Sequence, residues 1–153
     1  MLPYRDAKVA AYSALLVDSF RRVTGREILG AAADLAAALW HHPQPLVSHG
    51  TQADPVFCYA NAAALQLWQM DWDDFIRLPS RRSAEAEPGI QSDRAALLAQ
   101  ALQTGYVADY RGIRISAQGQ RFEISDTLLW NVTDGAGLRH GQAALIGAIT
   151  MLP

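Results

Sequence analysis

The chain has 153 residues, half of them apolar and 18% charged, and carries a formal net charge of −2. A chain of this size buries one sizeable core, and this composition belongs to a packed globular domain, not a disordered one. Slight acidity without clustered basic charge argues against nucleic acid as a partner, and no apolar run approaches the length of a membrane span.

Arg5, Asp6, Lys8 and Asp18 interrupt any signal-like apolar run near the N-terminus, so the expected location is cytoplasmic. Val9, Tyr12, Leu16, Phe20 and Val23 recur every three or four residues and predict an amphipathic helix over 5–23, closed at Thr24-Gly25. A second, alanine-rich helix is predicted over 26–40 and stopped by Pro43 and Pro45. Residues 1–45 are thus an N-terminal helical extension, expected to pack as one unit with a domain formed by 46–153.

From Leu46 the pattern becomes strand-like. Short strands are predicted over 46–49 and 56–59, separated by a polar turn. Asn61 is placed to cap a helix running to about Met70, and Asp71 or Asp73 to cap a short turn after it. A polar loop follows from Ser80 to Gly89, then a helix capped by Ser92 and ended by Gly105. Three longer strands are predicted over 106–116, 121–131 and 142–151, with a hairpin turn at 117–120 and a loop through 134–137. Strict alternation along the middle strand puts Phe122, Ile124, Asp126, Leu128 and Trp130 on one face. Two strands, a helical excursion and a three-strand meander match the antiparallel five-stranded sheet of a PAS domain. That is an α+β fold with helices over one face of the sheet, enclosing a small cavity.

The segments Ser48-His49-Gly50 and Asp54-Pro55-Val56-Phe57-Cys58-Tyr59-Ala60-Asn61-Ala62-Ala63-Ala64-Leu65 resemble the core of the MEKHLA domain family. So do Leu78-Pro79-Ser80-Arg81-Arg82-Ser83-Ala84-Glu85, Gly105 to Ser116, and Trp130-Asn131. The family is PAS-like, and occurs at the C-terminus of plant homeodomain-leucine-zipper factors and as stand-alone bacterial proteins. Lacking homeodomain and zipper, this chain looks like the stand-alone type. The resemblance implies a sensor or interaction module and brings no assigned ligand or reaction with it.

Candidate pocket walls are Tyr59, Trp68, Trp72, Tyr110, Arg114 and Trp130, aromatics and one arginine on predicted elements of the PAS-like part. Arg81 joins them on the resemblance alone, as one of two adjacent arginines after a rigid Pro-Ser; the plainer alternative pairs these arginines with Glu85, Glu87 or Asp109. Arg114, sharing a strand face with Gly112 and Ser116, is expected to pair with Asp126 on the neighbouring strand. Asn61 reads as a structural cap. His41, His42, His49 and His140 form no convergent ligand set, so no metal is expected. Cys58 lies in a strand outside any Asn-Cys-Arg motif and reads as a buried, unreactive thiol; neither a flavin–cysteine adduct nor haem is supported.

No nucleophile–base–orienter set is evident: Ser48 and His49 alternate across a strand, and no phosphate loop or G-x-S-x-G occurs. The first reading is therefore a non-catalytic sensor that binds a small molecule and signals through protein contacts, as a homodimer. A cavity-free dimerisation or docking module is the alternative, and a small enzyme the weakest.

Overall fold

The computed structural model describes residues 2–153. A 3-10 turn at Pro3–Arg5 leads into α1 (Ala7–Thr24). Asp6 starts α1 by accepting the Lys8 and Val9 backbone N–H groups at 2.8 and 3.3 Å, and Gly25 ends it in the left-handed region at φ 73°. The second helix is shorter than its alanine content predicts. Residues 26–34 run irregularly, and α2 spans only Leu35–Trp40. Asp34 decides this boundary: its carboxylate accepts the Ala37 N–H at 3.1 Å, which fixes it as the cap and leaves the preceding turn outside the helix.

The remaining elements are β1 (Leu46–His49), β2 (Phe57–Ala60), α3 (Ala62–Trp68), α4 (Trp72–Phe75), α5 (Pro88–Thr104), β3 (Tyr106–Ile115), β4 (Arg121–Thr133), β5 (Arg139–Leu145) and β6 (Ala148–Met151). Asp71, not Asp73, caps α4, accepting the Asp74 N–H at 2.9 Å. The loop expected over 80–89 contains a 3-10 turn at Ser80–Ser83. α5 begins earlier than Ser92, because Pro88 suits its first turn and Glu87 accepts the Gly89 and Ile90 N–H groups at 2.9 and 3.0 Å.

The strands form one antiparallel sheet in the order β2-β1-β5-β4-β3, with β6 also paired to β4. The strand predicted over 142–151 is therefore present but broken after Leu145. Opposite the break Asp126 takes a positive φ of 48°, at a bulge against β3, where the pairing steps from Tyr110 opposite Thr127 to Gly112 opposite Ile124. Gly147 lies on this bulge so closely that a Cβ there would sit 2.0 Å from the Asp126 carbonyl oxygen.

Both sheet faces are covered. Val47, Phe57, Phe122, Ile124, Leu129 and Ala144 look toward α3, α4 and α5, meeting Ala64, Trp68, Phe75 and Ala101. Leu46, Tyr59, Trp130, Val132 and Leu145 look the other way and meet Leu16, Val17 and Phe20 of α1 and Leu39 of α2. The N-terminal extension thus lies on the outer face of the sheet.

Candidate functional site

Between the sheet and α3–α5 lies a cavity of about 40 Å³, walled mainly by apolar side chains such as Val47, Phe57, Trp68, Leu98, Ile124 and Leu129. On the measure by which one water needs about 10–15 Å³, this holds a few water-sized groups, well below the roughly 300–1,000 Å³ of a drug-sized pocket. Besides Ser83, five polar side chains reach its wall: His49, Arg94, Tyr110, Arg114 and Gln142.

The local fold explains why each one faces inward. On β1 the outward Leu46 and Ser48 alternate with the inward Val47 and His49; on β5 Gln142 and Ala144 face in. Arg94 occupies the stripe position of α5 one turn before Leu97 and Leu98 and two before Ala101, so the helix turns it toward the sheet. Tyr110 and Arg114 share the inner face of β3.

The two guanidinium groups are 9% and 3% exposed, respectively. Arg94 donates to Ser80 Oγ at 2.6 Å. Arg114 donates to the Ile113 carbonyl at 2.7 Å and to the Tyr110 hydroxyl, with its guanidinium carbon 5.4 Å from the Tyr110 ring centroid. Neither reaches a carboxylate among the described residues. The charge of Arg114 and, above all, burial hold the Arg94 guanidinium below its ordinary pKa.

His49 is 7% exposed, and burial, reinforced by the charges of Arg94 and Arg139, lowers its pKa to about 4. Its ring is therefore neutral at pH 7. Nδ1 lies 3.1 Å from the Gly50 carbonyl oxygen, a pure acceptor, so Nδ1 carries the proton. Nε2 is then a bare acceptor, buried and without a hydrogen-bond partner. Gln142 is anchored differently, donating to the Leu98 carbonyl at 3.1 Å and to Asn131 Oδ1 at 3.2 Å.

Of the residues expected at the pocket, Trp68, Tyr110 and Arg114 line this cavity, and the other four lie elsewhere. Trp130 faces α1: its ring meets Phe20 at 4.8 Å and its Nε1 donates to Ser19 Oγ at 3.0 Å. The bulge at Asp126 reverses the alternation, so that Trp130 and Phe122 occupy opposite faces. Tyr59 also points outward, because the step from Phe57 to Tyr59 faces a single step of β1 and leaves Cys58 as an extra residue. Trp72 packs between Tyr59 and Trp40, at ring distances of 5.8 and 6.0 Å. Arg81 is half-exposed and binds Asp54 through Nε at 3.2 and 3.3 Å, so its partner is an acid other than those expected; Glu85 instead holds Arg121.

The Arg114–Asp126 pair is absent. The bulge leaves Asp126 exposed while Arg114 is buried opposite Phe122. Cys58 is exposed, not buried, and lies outside the cavity with its Sγ 3.6 Å from the Ser48 carbonyl oxygen. Asn61 is buried and caps α3 through the Ala64 N–H at 3.1 Å; the same oxygen accepts the Leu46 N–H at 3.0 Å, and its amide nitrogen donates to the carbonyls of Leu39, His42 and Gln44 at 3.0–3.4 Å.

Sequence reasoning missed Arg94, His49 and Gln142 as cavity residues. The signal for Arg94 was a lone charge on the apolar stripe of a helix, and for His49 its alternation with Val47. Among the described residues no three His, Cys, Asp or Glu side chains are gathered for a metal, and no helix is long and apolar enough to cross a membrane.

The same architecture recurs in solved structures. The PAS domain of a protein from Colwellia psychrerythraea superimposes with a TM-score of 0.62 at 13% identity, covering 73% of this chain and 91% of that one. The light-state dimer of the fungal blue-light photoreceptor Vivid gives 0.62 at 14% identity, covering 94% and 95%. An RNA-binding light-oxygen-voltage receptor gives 0.62 at 22% identity, covering 74% of this chain and 31% of that one. At these identities the likeness is one of fold. No curated protein matches the sequence. The model of the MEKHLA domain matches residues 10–151, nearly the whole chain, and with the PAS-like sheet and helix order this places the protein in the MEKHLA domain family.

Proposed function

We propose that this protein is a non-catalytic small-molecule sensor whose ligand occupies the cavity between the sheet and α3–α5, and whose output runs through the helix on the opposite face. The observation that carries the reading is a buried polar atom without a partner, His49 Nε2, at a mainly apolar cavity. Such an atom costs about 1–3 kcal/mol, a cost that a ligand hydrogen bond would remove. The route outward is short. Tyr12 of α1 bonds Ser48 Oγ at 2.9 Å, and Ser48 Oγ donates to the Gln142 carbonyl at 2.8 Å. The strand neighbours of the cavity residues therefore hold α1 directly. A flavin does not fit this arrangement: the cavity is about 40 Å³, and Cys58 is not among its walls.

The docking alternative has less support, because α1 already covers the outer face of β1, β4 and β5, leaving Ile149 and Met151 of β6 as its exposed apolar residues there. A homodimer remains part of the proposal, as one fold relative is described as a dimer. The test is a thermal-shift panel of small organic acids, alcohols, amines and sugars, with light scattering on each hit. A binder should raise Tm in proportion to the logarithm of its concentration above Kd, and the particle should have twice the chain mass. A flat panel, with native mass spectrometry showing only the bare chain, defeats the sensor reading.

A further inference from the structure

Three features around the cavity point to the chemistry of the ligand. The first is charge. Arg94 and Arg114 are both buried at one cavity and lack a carboxylate partner among the described residues. Isolated buried cations are strongly disfavoured, and their usual resolution is a counter-ion. Asp54, the acid whose charge raises the Arg94 pKa, spends its carboxylate on Arg81 at 3.2 Å, while Asp93 and Glu123 line a second pocket with both arginines without bonding either.

The second feature is a route inward. A groove of about 330 Å³ runs between α5 and the 50–55 loop, and it shares His49, Arg94, Leu98 and Gln142 with the cavity. These four side chains form the partition between the two spaces. Arg139 adds a further positive charge to the groove, whose walls include no aspartate or glutamate. An anion is thus drawn toward Arg94 and then toward Arg114 behind it.

The third feature is the remaining wall. Val47, Phe57, Leu98, Ile124 and Leu129 offer carbon, not hydrogen bonds, which suits a ligand with a hydrocarbon part over phosphate or sulfate. His49 Nε2, an acceptor only, asks for a hydroxyl donor.

We infer that the site binds a small hydroxycarboxylate, its carboxylate held by Arg94 and Arg114 and its hydroxyl donating to His49 Nε2. This deepens the sensor reading and rests on it.

The experiment measures Tm and Kd for lactate, propionate, pyruvate, lactamide and phosphate at matched ionic strength in chloride. Lactate should raise Tm by about 8 °C near a hundredfold excess over Kd. Propionate and pyruvate should bind more weakly, and lactamide, phosphate and chloride should give no shift. Arg114→Met and Arg94→Met should weaken lactate by about thirtyfold or more, while the ligand-free variants melt no lower than the parent, because an unpaired buried charge has been removed. A purely structural arginine would give the opposite, a lower Tm with the lactate response kept. Lactamide matching lactate, phosphate outranking it, or chloride reproducing the shift would each overturn the hydroxycarboxylate and leave the sensor reading standing. Silence across this set and the wider panel removes both.

Discussion

His49 carries the clearest consequence at the scale of a single residue. Its pKa in the fold is about 4, against an ordinary value near 6.5 in the unfolded chain. Between those values the unfolded chain binds a proton that the folded protein refuses. Stability is therefore complete above about pH 6.5 and is lost as pH falls toward 4. Burial disfavours the imidazolium first, and the positive charges of Arg94 and Arg139 add to it. The expected loss attributable to His49 is on the order of 3 kcal/mol across that window. Urea unfolding of the parent and of His49→Gln at pH 7 and pH 4.5 checks this, since acidic side chains titrate alike in both. Equal pH slopes would mean that the imidazole is solvated or paired in solution.

At the scale of elements, the bulges account for most of what the sequence left unread. Helix α1, β1, β2, the α3 cap and the hairpin at Gly119 follow from period, capping and turn chemistry, all local properties. A bulge is not local. Cys58 and Asp126 are extra residues only relative to the strands beside them, and each reverses every side chain beyond it. That is why plain alternation points Tyr59 and Trp130 into the cavity, whereas in the fold both pack with α1. The cavity's own arginine on β3 was legible, whereas Arg94 required knowing which helix roofs the sheet. Asp126 and Gly147 also make a testable pair. An added Cβ at Gly147 meets the Asp126 carbonyl oxygen at 2.0 Å and its carbon at 2.9 Å, both backbone atoms that cannot swing away. Gly147→Ala should thus cost about 2 kcal/mol or more, whereas Gly135→Ala, with no atom within 4 Å, should change stability little. Denaturant midpoints of the two variants decide it; matching midpoints would show that the β5–β6 corner yields freely.

At the scale of the whole molecule, the sheet is a middle layer whose two faces serve different ends. The inner face holds the cavity, and the outer face is roofed by α1, where Leu16, Val17 and Phe20 bury against Trp130 and Val132 of β4 and Leu145 of β5. Those two strands also carry Leu129, Gln142 and Ala144 of the cavity wall, on their opposite side. Loss of α1 would expose the outer apolar layer and loosen the same strands that shape the cavity. Residues 1–45 and 46–153 are accordingly predicted to unfold together, as one cooperative unit. Phe20 is the place to test it, being 1% exposed, one helical face deep, and edge-on to Trp130 at 4.8 Å. Phe20→Ala should lower stability by about 3–5 kcal/mol, the usual range for emptying a buried aromatic site. Replacing Trp40 by Phe in parent and variant alike leaves Trp68, Trp72 and Trp130, all within 46–153, as the fluorescent probes, and far-UV circular dichroism includes α1. In both the parent and the variant the two probes should share a single urea midpoint. A variant in which helical signal melts first, with the fluorescence transition unmoved, would show the extension to be a separately folding cover.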